Sequence, residues 1–314
     1  MRCALVACRA TSTNEALAAA RGGDLWETMS PERALEVLQP GDAALGRLDV
    51  LPTLDGVDDG LWALGALAAR GVAVLNEASS LLATHDKLLT ARLLRRVGVP
   101  HPLTRHVRAG RPLRVIRPPV VVKPRFGSWG QDVFRCEDAS AVQATLARLA
   151  QTPWYPSQGA LVQELVPPQG YDLRILVAGE RVVGAVYRRA AAGEWRTNIS
   201  LGGVRQTVSD PPREACTLAL AAARASGASL VGVDLLPSPR GGWIVLELNG
   251  AVEFTDEYAL SGDVFAEVTR ELEGAAVAAL AEGALAVTAQ ERTFRGRRLA
   301  TRTGSSGQSR SEVG

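Results

Sequence analysis

The chain has 314 residues, 46% of them hydrophobic, which is ample for a buried core divided among two or three lobes. Its formal charge is +2, but six arginines against Glu291 and Glu312 after residue 287 contribute +4, so the body sits near −2 and carries no basic field of nucleic-acid size. The four cysteines form no CxxC pair, no uncharged 18-residue stretch occurs, and the apolar run 3–8 is too short for a secretory signal, which argues against a zinc site, a disulfide scaffold and a membrane span and for a reducing cytoplasm.

Residues 3–8 read as a buried strand, 14–21 as a short helix and 42–50 as a strand region. A helix at 60–70 carries Leu61, Leu64, Leu67 and Ala68 at helical spacing, and 72–75 is another strand. This alternation predicts a first lobe, 1–80, with a small open sheet flanked by helices. In a central lobe, 81–157, a helix at 87–97 stops at Gly98 and Pro100. Strands at 120–123 and 132–135 then form a hairpin whose tip is Gly127-Ser128-Trp129-Gly130, and a helix spans 138–151. The third lobe, 158–287, holds strands at 159–166, 173–177 and 181–187, a helix at 211–226, a long hairpin at 230–249 and a helix at 264–282. Residues 288–314, rich in Arg, Gly, Ser and Thr and poor in aliphatics, are expected to be a disordered tail.

Only Lys87 and Lys123 among the 35 basic residues are lysine. A GC-rich codon bias accounts for the arginines. A lysine retained under that pressure is one whose compact, strongly hydrated ammonium does what a planar guanidinium cannot. Asparagine is also scarce, with Asn14, Asn76, Asn198 and Asn249 alone.

In the long hairpin, a turn centred between Arg240 and Gly241 sets Asp234 opposite Glu247, and Glu247 and Asn249, two apart, share that face. Facing carboxylates ~5 Å apart repel unless a cation lies between them. Three oxygen-bearing side chains suit magnesium bridged to phosphates. A solvated sheet edge explains the same polar alternation without a metal. At the other hairpin, Lys123 precedes a glycine turn whose amides can close over phosphate oxygens. The turn is neither a P-loop nor GxGxxG, and taken alone it is also an ordinary hairpin loop.

Taken together, the order Asp86-Lys87, Val122-Lys123-Pro124 with Gly127-Ser128-Trp129-Gly130, Gln163-Glu164, Asp172-Leu173-Arg174, Arg188, Arg196-Thr197-Asn198, Gly202-Gly203, Gly232-Val233-Asp234 and Glu247-Leu248-Asn249 resembles the ATP-grasp ligases of the RimK type over about residues 76–280. The resemblance implies an α/β (α+β) ATP-grasp fold, in which a small N-terminal lobe precedes two lobes that clasp ATP between antiparallel sheets. It implies that Lys87, Lys123 and the turn Gly127, Ser128, Trp129 and Gly130 contact ATP. The backbone of Gln163, Glu164 and Leu165 would read adenine, and Asp172, Arg196 and Asn198 would border nucleotide and acyl phosphate. Asp234, Glu247 and Asn249 would hold magnesium or manganese, as two ions. Arg174 and Arg188 would steady the substrate carboxylate and the tetrahedral intermediate, with Asn198 beside them. The implied reaction joins a carboxylate to an amine through an acylphosphate.

After the metal strand the chain reads Asn249-Gly250-Ala251-Val252-Glu253-Phe254-Thr255, where ribosomal-protein-modifying members read Asn-Ala-Ser-Pro-Gly. That is closer to the lysine-biosynthesis and pterin glutamate-ligase branches, so the resemblance leans toward glutamate as donor or acceptor. The second substrate is an amine on a small molecule or a carrier protein. The implied protein is a cytoplasmic homo-oligomer, dimer or tetramer, without nucleic acid or membrane. Two competing readings are a ligase for another acid and a non-catalytic nucleotide-binding or carrier-interaction module; no expected phosphate or metal position is lost, which counts against the second. His85, His101 and His106 read as surface histidines, Trp129 as a lid against water, and Trp154, Trp195 and Trp243 as packing residues.

Overall fold

The computed structural model describes residues 1–20, 26–108 and 117–303, with side chains of the last helix described to residue 285. Three sheets follow one another along the chain. The first is built from β1 (Cys3–Val6), α1 (Ser12–Ala19), β2 (Trp26–Met29), α2 (Pro31–Val37), β3 (Ala43–Gly46), α3 (Leu61–Ala69) and β4 (Ala73–Leu75). Its strands run parallel in the order β2-β1-β3-β4. Strands β1 and β3 are buried throughout, which is why they read as unbroken apolar runs rather than as alternation. The expected α/β alternation is present, with β2 and α2 as an additional unit. The start signal of α2 is Ser30, which accepts from the Arg33 amide, followed by Pro31 in the first turn.

Helices α4 (Ala78–His85) and α5 (Lys87–Arg96) lead to the second sheet, and Asp86 caps α5 by accepting from the Leu88 and Leu89 amides. This sheet comprises β5 (Thr104–Val107), β6 (Val120–Pro124), β7 (Phe134–Cys136) and, after α6 (Ala139–Leu149) and α7 (Tyr155–Gln158), β8 (Ala160–Glu164). It is antiparallel, in the order β5-β8-β6-β7. Strand β8, expected in the third lobe from residue 158, pairs instead between β5 and β6 in the second sheet. An apolar strand carries no label for the sheet it joins.

The third sheet is antiparallel in the order β11-β10-β9-β12-β13, from β9 (Tyr171–Ala178), β10 (Arg181–Arg189), β11 (Val204–Thr207), β12 (Leu230–Pro237) and β13 (Trp243–Asn249). Helix α8 (Arg213–Ser226) covers one face with Ala215, Ala219, Ala222 and Ala223. On the other face α9 (Val264–Thr303) buries Val264, Val268, Leu272 and Ala276 in one core with Leu5, Leu45 and Leu75 of the first sheet and Leu176 and Leu230 of the third. The tail expected from residue 288 is therefore helical to Thr303. Residues 284–303 contain no proline and a single glycine, and Ala, Arg, Glu, Gln and Leu propagate a helix once packing has started it. Residues 304–314 of that expectation lie outside the described residues. No helix among the described residues is long and apolar enough to cross a membrane.

The first lobe is locked to the third by two polar side chains. The Arg47 side chain is buried; its Nε donates to Asn14 Oδ1 at 2.8 Å, one terminal nitrogen to the Val252 carbonyl at 2.8 Å, and the other to Glu253 Oε1 at 2.9 Å. Asn76 adopts a left-handed φ of 50° and uses its whole amide, donating to the Leu230 and Gly250 carbonyls and accepting from the Ser229 and Leu230 amides. One of the four asparagines, Asn76, is thus itself a joint between lobes, and Asn14 orients the arginine of the other. Replacing Arg47 by Met strands the Asn14 and Val252 oxygens in a dry site, each worth about 1–3 kcal/mol. We expect Arg47→Met to lose about 2–4 kcal/mol in urea unfolding; a loss below about 1 kcal/mol contradicts the joint.

Of the three histidines expected at the surface, His85 is buried and His101 and His106 are half-buried. His85 is buried with Nε2 on the Leu48 carbonyl, His101 places Nδ1 on Val245 O at 2.8 Å, and His106 places Nε2 on Gln158 O at 2.7 Å. Each is held by a backbone carbonyl distant in sequence, which no local pattern announces.

Candidate active site

Strand pairing assembles the site. On β10, Arg188 lies opposite Asp172 of β9 and opposite Arg205 of β11. Two residues along β9, Arg174 lies opposite Asp234 of β12, and Asp234 lies opposite Glu247 of β13. Residues two apart share a face, so two cross-strand rows, Arg205–Arg188–Asp172 and Arg174–Asp234–Glu247, lie side by side.

The expected pairing of Asp234 with Glu247 is present, although by a different geometry. From Pro237↔Trp243 to Leu235↔Val245 the register is one residue shorter than a turn centred at 240/241 gives, and a bulge at Leu246 restores it. That bulge also turns both Leu246 and Glu247 toward one cleft.

The cation expected between the facing carboxylates is, for Asp234, a pair of guanidiniums. Arg174 donates from Nε to Oδ1 at 2.6 Å and from a terminal nitrogen to Oδ2 at 2.8 Å, and Arg188 donates to Oδ2 at 2.8 Å. Burial pushes the Asp234 carboxyl up, and the two arginines more than offset it, holding it well below the usual carboxylate range. Arg188 also clasps Asp172 bidentately, and Thr197 donates to the same carboxylate at 2.5 Å. Asp172 is 1% exposed. It therefore orients Arg188 rather than bordering the nucleotide, a correction to the role expected for it.

Between the second and third sheets lies an open cleft with apolar walls and a few converging polar and charged groups, the character of a small-molecule site. Ten of the eleven residues expected to contact ATP line it: Lys87, Lys123, Gly127, Ser128, Trp129, Gly130, Gln163, Glu164, Leu165 and Arg196, with Asp172 the exception. Lys87 donates to the Gly127 carbonyl at 2.5 Å and stands 3.5 Å from Glu247. Lys123 is buried, and burial pulls its ammonium down to about 8. Trp129 stands 62% exposed at the tip of the turn with φ 57°. The turn is tied to the third lobe, since Arg196 donates to Gly130 O at 3.1 Å and Ser200 to Trp129 O at 2.9 Å. Gly130 has φ 74° and any Cβ there would meet Asn198 Oδ1 at 3.0 Å, so glycine is required. Glu194, absent from the expected set, grips Arg196 from two oxygens, which draws its own carboxyl down to about 2.

Three further features were hidden from the sequence. The hinge amides of Glu164 and Leu165 are taken by the Leu103 and Pro119 carbonyls. The Val166 amide, which also borders the cleft, is the first in the hinge to lack a backbone partner among the described residues. The Gln163 side chain turns away to Thr104 Oγ1 at 2.8 Å. Val121, Leu236, Leu246 and Tyr171 supply apolar walls, and Trp195, expected to be packing, borders the cleft. For those in strands the only sequence signal is apolar alternation, which core residues share, and Trp195 lies in a loop with no pattern around it.

A divalent cation fits the residues here on one observation. Glu247 and Asn249 line the same pocket and, with Asp234, offer carboxylate and amide oxygens, the donor set of a hard cation; both Asp234 oxygens are engaged by Arg174 and Arg188 in this structure. Among the described residues no three His, Cys, Asp or Glu side chains converge as a metal site. A cation would therefore rest on two carboxylates, the asparagine amide and phosphate oxygens, the habit of magnesium.

The family of RimK-like ATP-grasp domains matches residues 84–270, three fifths of the chain. The chain belongs to the RimK-like ATP-grasp family. Family and fold are those of ATP-dependent carboxylate–amine ligases, as the order of motifs implies. Similar relatives carry the name probable alpha-L-glutamate ligase. The one from Parasynechococcus marenigrum (strain WH8102) is 34% identical over 65% of this chain and 45% of its own length. The one from Aeromonas salmonicida (strain A449) is 34% identical over 63% and 67%. The chain thus spans less than half of the first relative and about two thirds of the second. The D-alanine–D-alanine ligase of Bacillus anthracis complexed with ATP shares the fold, with TM-score 0.66 and 16% identity over 90% of this chain and 99% of that one.

Proposed function

We propose that this member of the ATP-dependent carboxylate–amine ligases activates a carboxylate of glutamate as an acylphosphate and passes the acyl group to an amine of a small molecule or a carrier protein. One observation carries the reading. A second pocket, lined by Arg174, Arg188 and Asn249, shares Ser128, Trp129, Asn198 and Glu247 with the nucleotide cleft. An acid held by the arginines thus meets the phosphate end of ATP. Lys87, Lys123 and the amides of the glycine turn hold the phosphates, and the Val166 amide reads adenine between Leu236 and Leu246. Asp234, Glu247 and Asn249 would hold magnesium or manganese, which neutralises phosphate charge when bound. A carboxylate oxygen attacks the γ-phosphorus and the bond to the β-phosphate oxygen breaks, releasing ADP. The amine then attacks the acyl carbon, loses a proton, and expels phosphate. Arg174 and Arg188 stabilise the negative charge of both transition states. The preference for glutamate rests on the relatives' name and on the Glu253-Phe254 sequence after β13.

ADP release should require glutamate, an amine and magnesium. In Glu247→Gln the magnesium concentration for half-maximal rate should rise at least about tenfold, because a neutral amide replaces a charged oxygen donor. An unchanged magnesium dependence removes Glu247 from the metal set; absence of ADP with every amino acid tested removes the ligase reading.

A further inference from the structure

The loop between β10 and β11 is organised by one carboxylate. Glu194 Oε1 accepts from the Trp195 and Arg196 amides at 2.8 and 2.9 Å and from Arg196 Nε at 3.0 Å, and Oε2 accepts from a terminal nitrogen of Arg196 at 2.8 Å. An ion pair between residues two apart, with side chains 20% and 24% exposed, contributes little by itself. The other terminal nitrogen gives this pair its reach, because it crosses to the second lobe and donates to the Gly130 carbonyl at 3.1 Å. Ser200, further along the same loop, donates to Trp129 O at 2.9 Å. A trans peptide carries its C=O and the next N–H in opposite directions, so holding Trp129 O fixes the Gly130 amide. Gly130 borders the cleft, and its amide has no backbone partner among the described residues. Between Arg196 and Ser200, Thr197 donates to Asp172, the carboxylate that orients Arg188. One short segment therefore joins the glycine turn to the arginines of the second pocket.

Resting on the ligase reading above, we propose that Glu194 is a positioning residue for ligation: through Arg196 it latches the glycine turn to the third lobe, which retains the nucleotide and keeps water from the acylphosphate. All three side-chain nitrogens of Arg196 are engaged by Glu194 and the turn, so in the empty protein this arginine closes the turn rather than offering a free fork to phosphate. Glu194 sets its orientation. Without that carboxylate the guanidinium swings freely in its half-open loop and makes the Gly130 tie only part of the time. An open turn admits water to the acylphosphate; attack by water restores the acid and releases phosphate, so ATP is consumed with no amide formed. Glu194 itself lines neither pocket, and its effect reaches the reaction through Arg196.

The test measures release of a ribose-labelled fluorescent ATP analogue from the full chain, chased with unlabelled ATP. Glu194→Gln keeps an acceptor for the backbone amides and removes the charge that grips Arg196, and release should quicken about tenfold, the worth of one charge-assisted contact. Arg196→Met should do the same, and the double variant should be no faster than either alone, since the two residues act as one device. Ser200→Ala, at an exposed position, should quicken release about two- to tenfold, the loss of one neutral hydrogen bond. With glutamate and hydroxylamine, the ADP formed per hydroxamate should rise at least about twofold in Glu194→Gln. A merely structural role would lower thermal stability and leave the release rate and this ratio as in the parent, which overturns the assignment, as does a double variant whose effects multiply. Absence of hydroxamate in the parent overturns the glutamate reading alone, because nucleotide release still decides the latch.

Discussion

Lys123→Arg is expected to bind ATP about ten- to hundredfold more weakly than the parent, the range for losing a charge-assisted contact in a dry site. Lys123 sits at the buried end of β6 beneath the glycine turn, 5% exposed, with Gly127 and Pro124 of the same hairpin around the cleft. A compact ammonium fits there; a planar fork has to displace the turn. The same burial predicts a pH signature. Because the folded empty protein holds this lysine at about 8, against 10.5 for the free side chain, its charge is lost as pH rises through that lower value. Phosphate oxygens favour the ammonium and pull the pKa back up. Nucleotide binding at about pH 9 should then take up a proton and should weaken as pH rises past about 8. Unfolding shows the opposite slope, the empty fold gaining stability from about 8 to 10.5 as the unfolded chain binds the extra proton. Calorimetry in buffers of different ionisation enthalpy reads the uptake directly. Parent-like affinity in the arginine variant, or no proton uptake in the parent, contradicts this role for Lys123.

Arg188→Met should be the most damaging single change in the site. One guanidinium serves two buried carboxylates, Asp172 and Asp234, so its removal leaves Asp172 with only the Thr197 hydroxyl. Breaking a buried pair from one side costs about 3–5 kcal/mol, since an uncompensated charge remains. Turnover should also fall by about a hundred- to a thousandfold, because the same group stabilises developing charge. The double variant Arg188→Met, Asp172→Asn separates the two effects. With the stranded charge neutralised, stability should recover by at least half while activity stays lost. A single variant as stable as the parent would remove the buried network from the account, and an active double variant would remove Arg188 from the chemistry.

What could be read from sequence was what residue identity and short spacing encode. Lys87 and Lys123 stood out because arginine had replaced lysine elsewhere, and both line the nucleotide cleft. Asp234 and Glu247 were paired from hairpin symmetry, yet the register depends on a bulge at Leu246 that hairpin symmetry does not contain. Long-range partners were out of reach. Nothing near Arg188 announces that it grips Asp234 of β12, and nothing near Arg47 that it spans lobes. The edge strands β5 and β11, four residues each, were missed for the same reason, because so short a strand is specified by its neighbour rather than by its own alternation. Sequence alternation also could not tell that β8 completes the second sheet.

The central claim is that the cleft and the arginine pocket meet so that a carboxylate oxygen reaches the terminal phosphate of ATP. Glutamate labelled with 18O in its carboxylates, incubated with the protein, ATP, magnesium and an amine, tests it in one measurement of the released nucleotide and phosphate. One labelled oxygen should leave with the transferred group and appear in inorganic phosphate, in proportion to amide formed and with ADP as the only nucleotide product. Label in AMP, or AMP in place of ADP, would contradict the account.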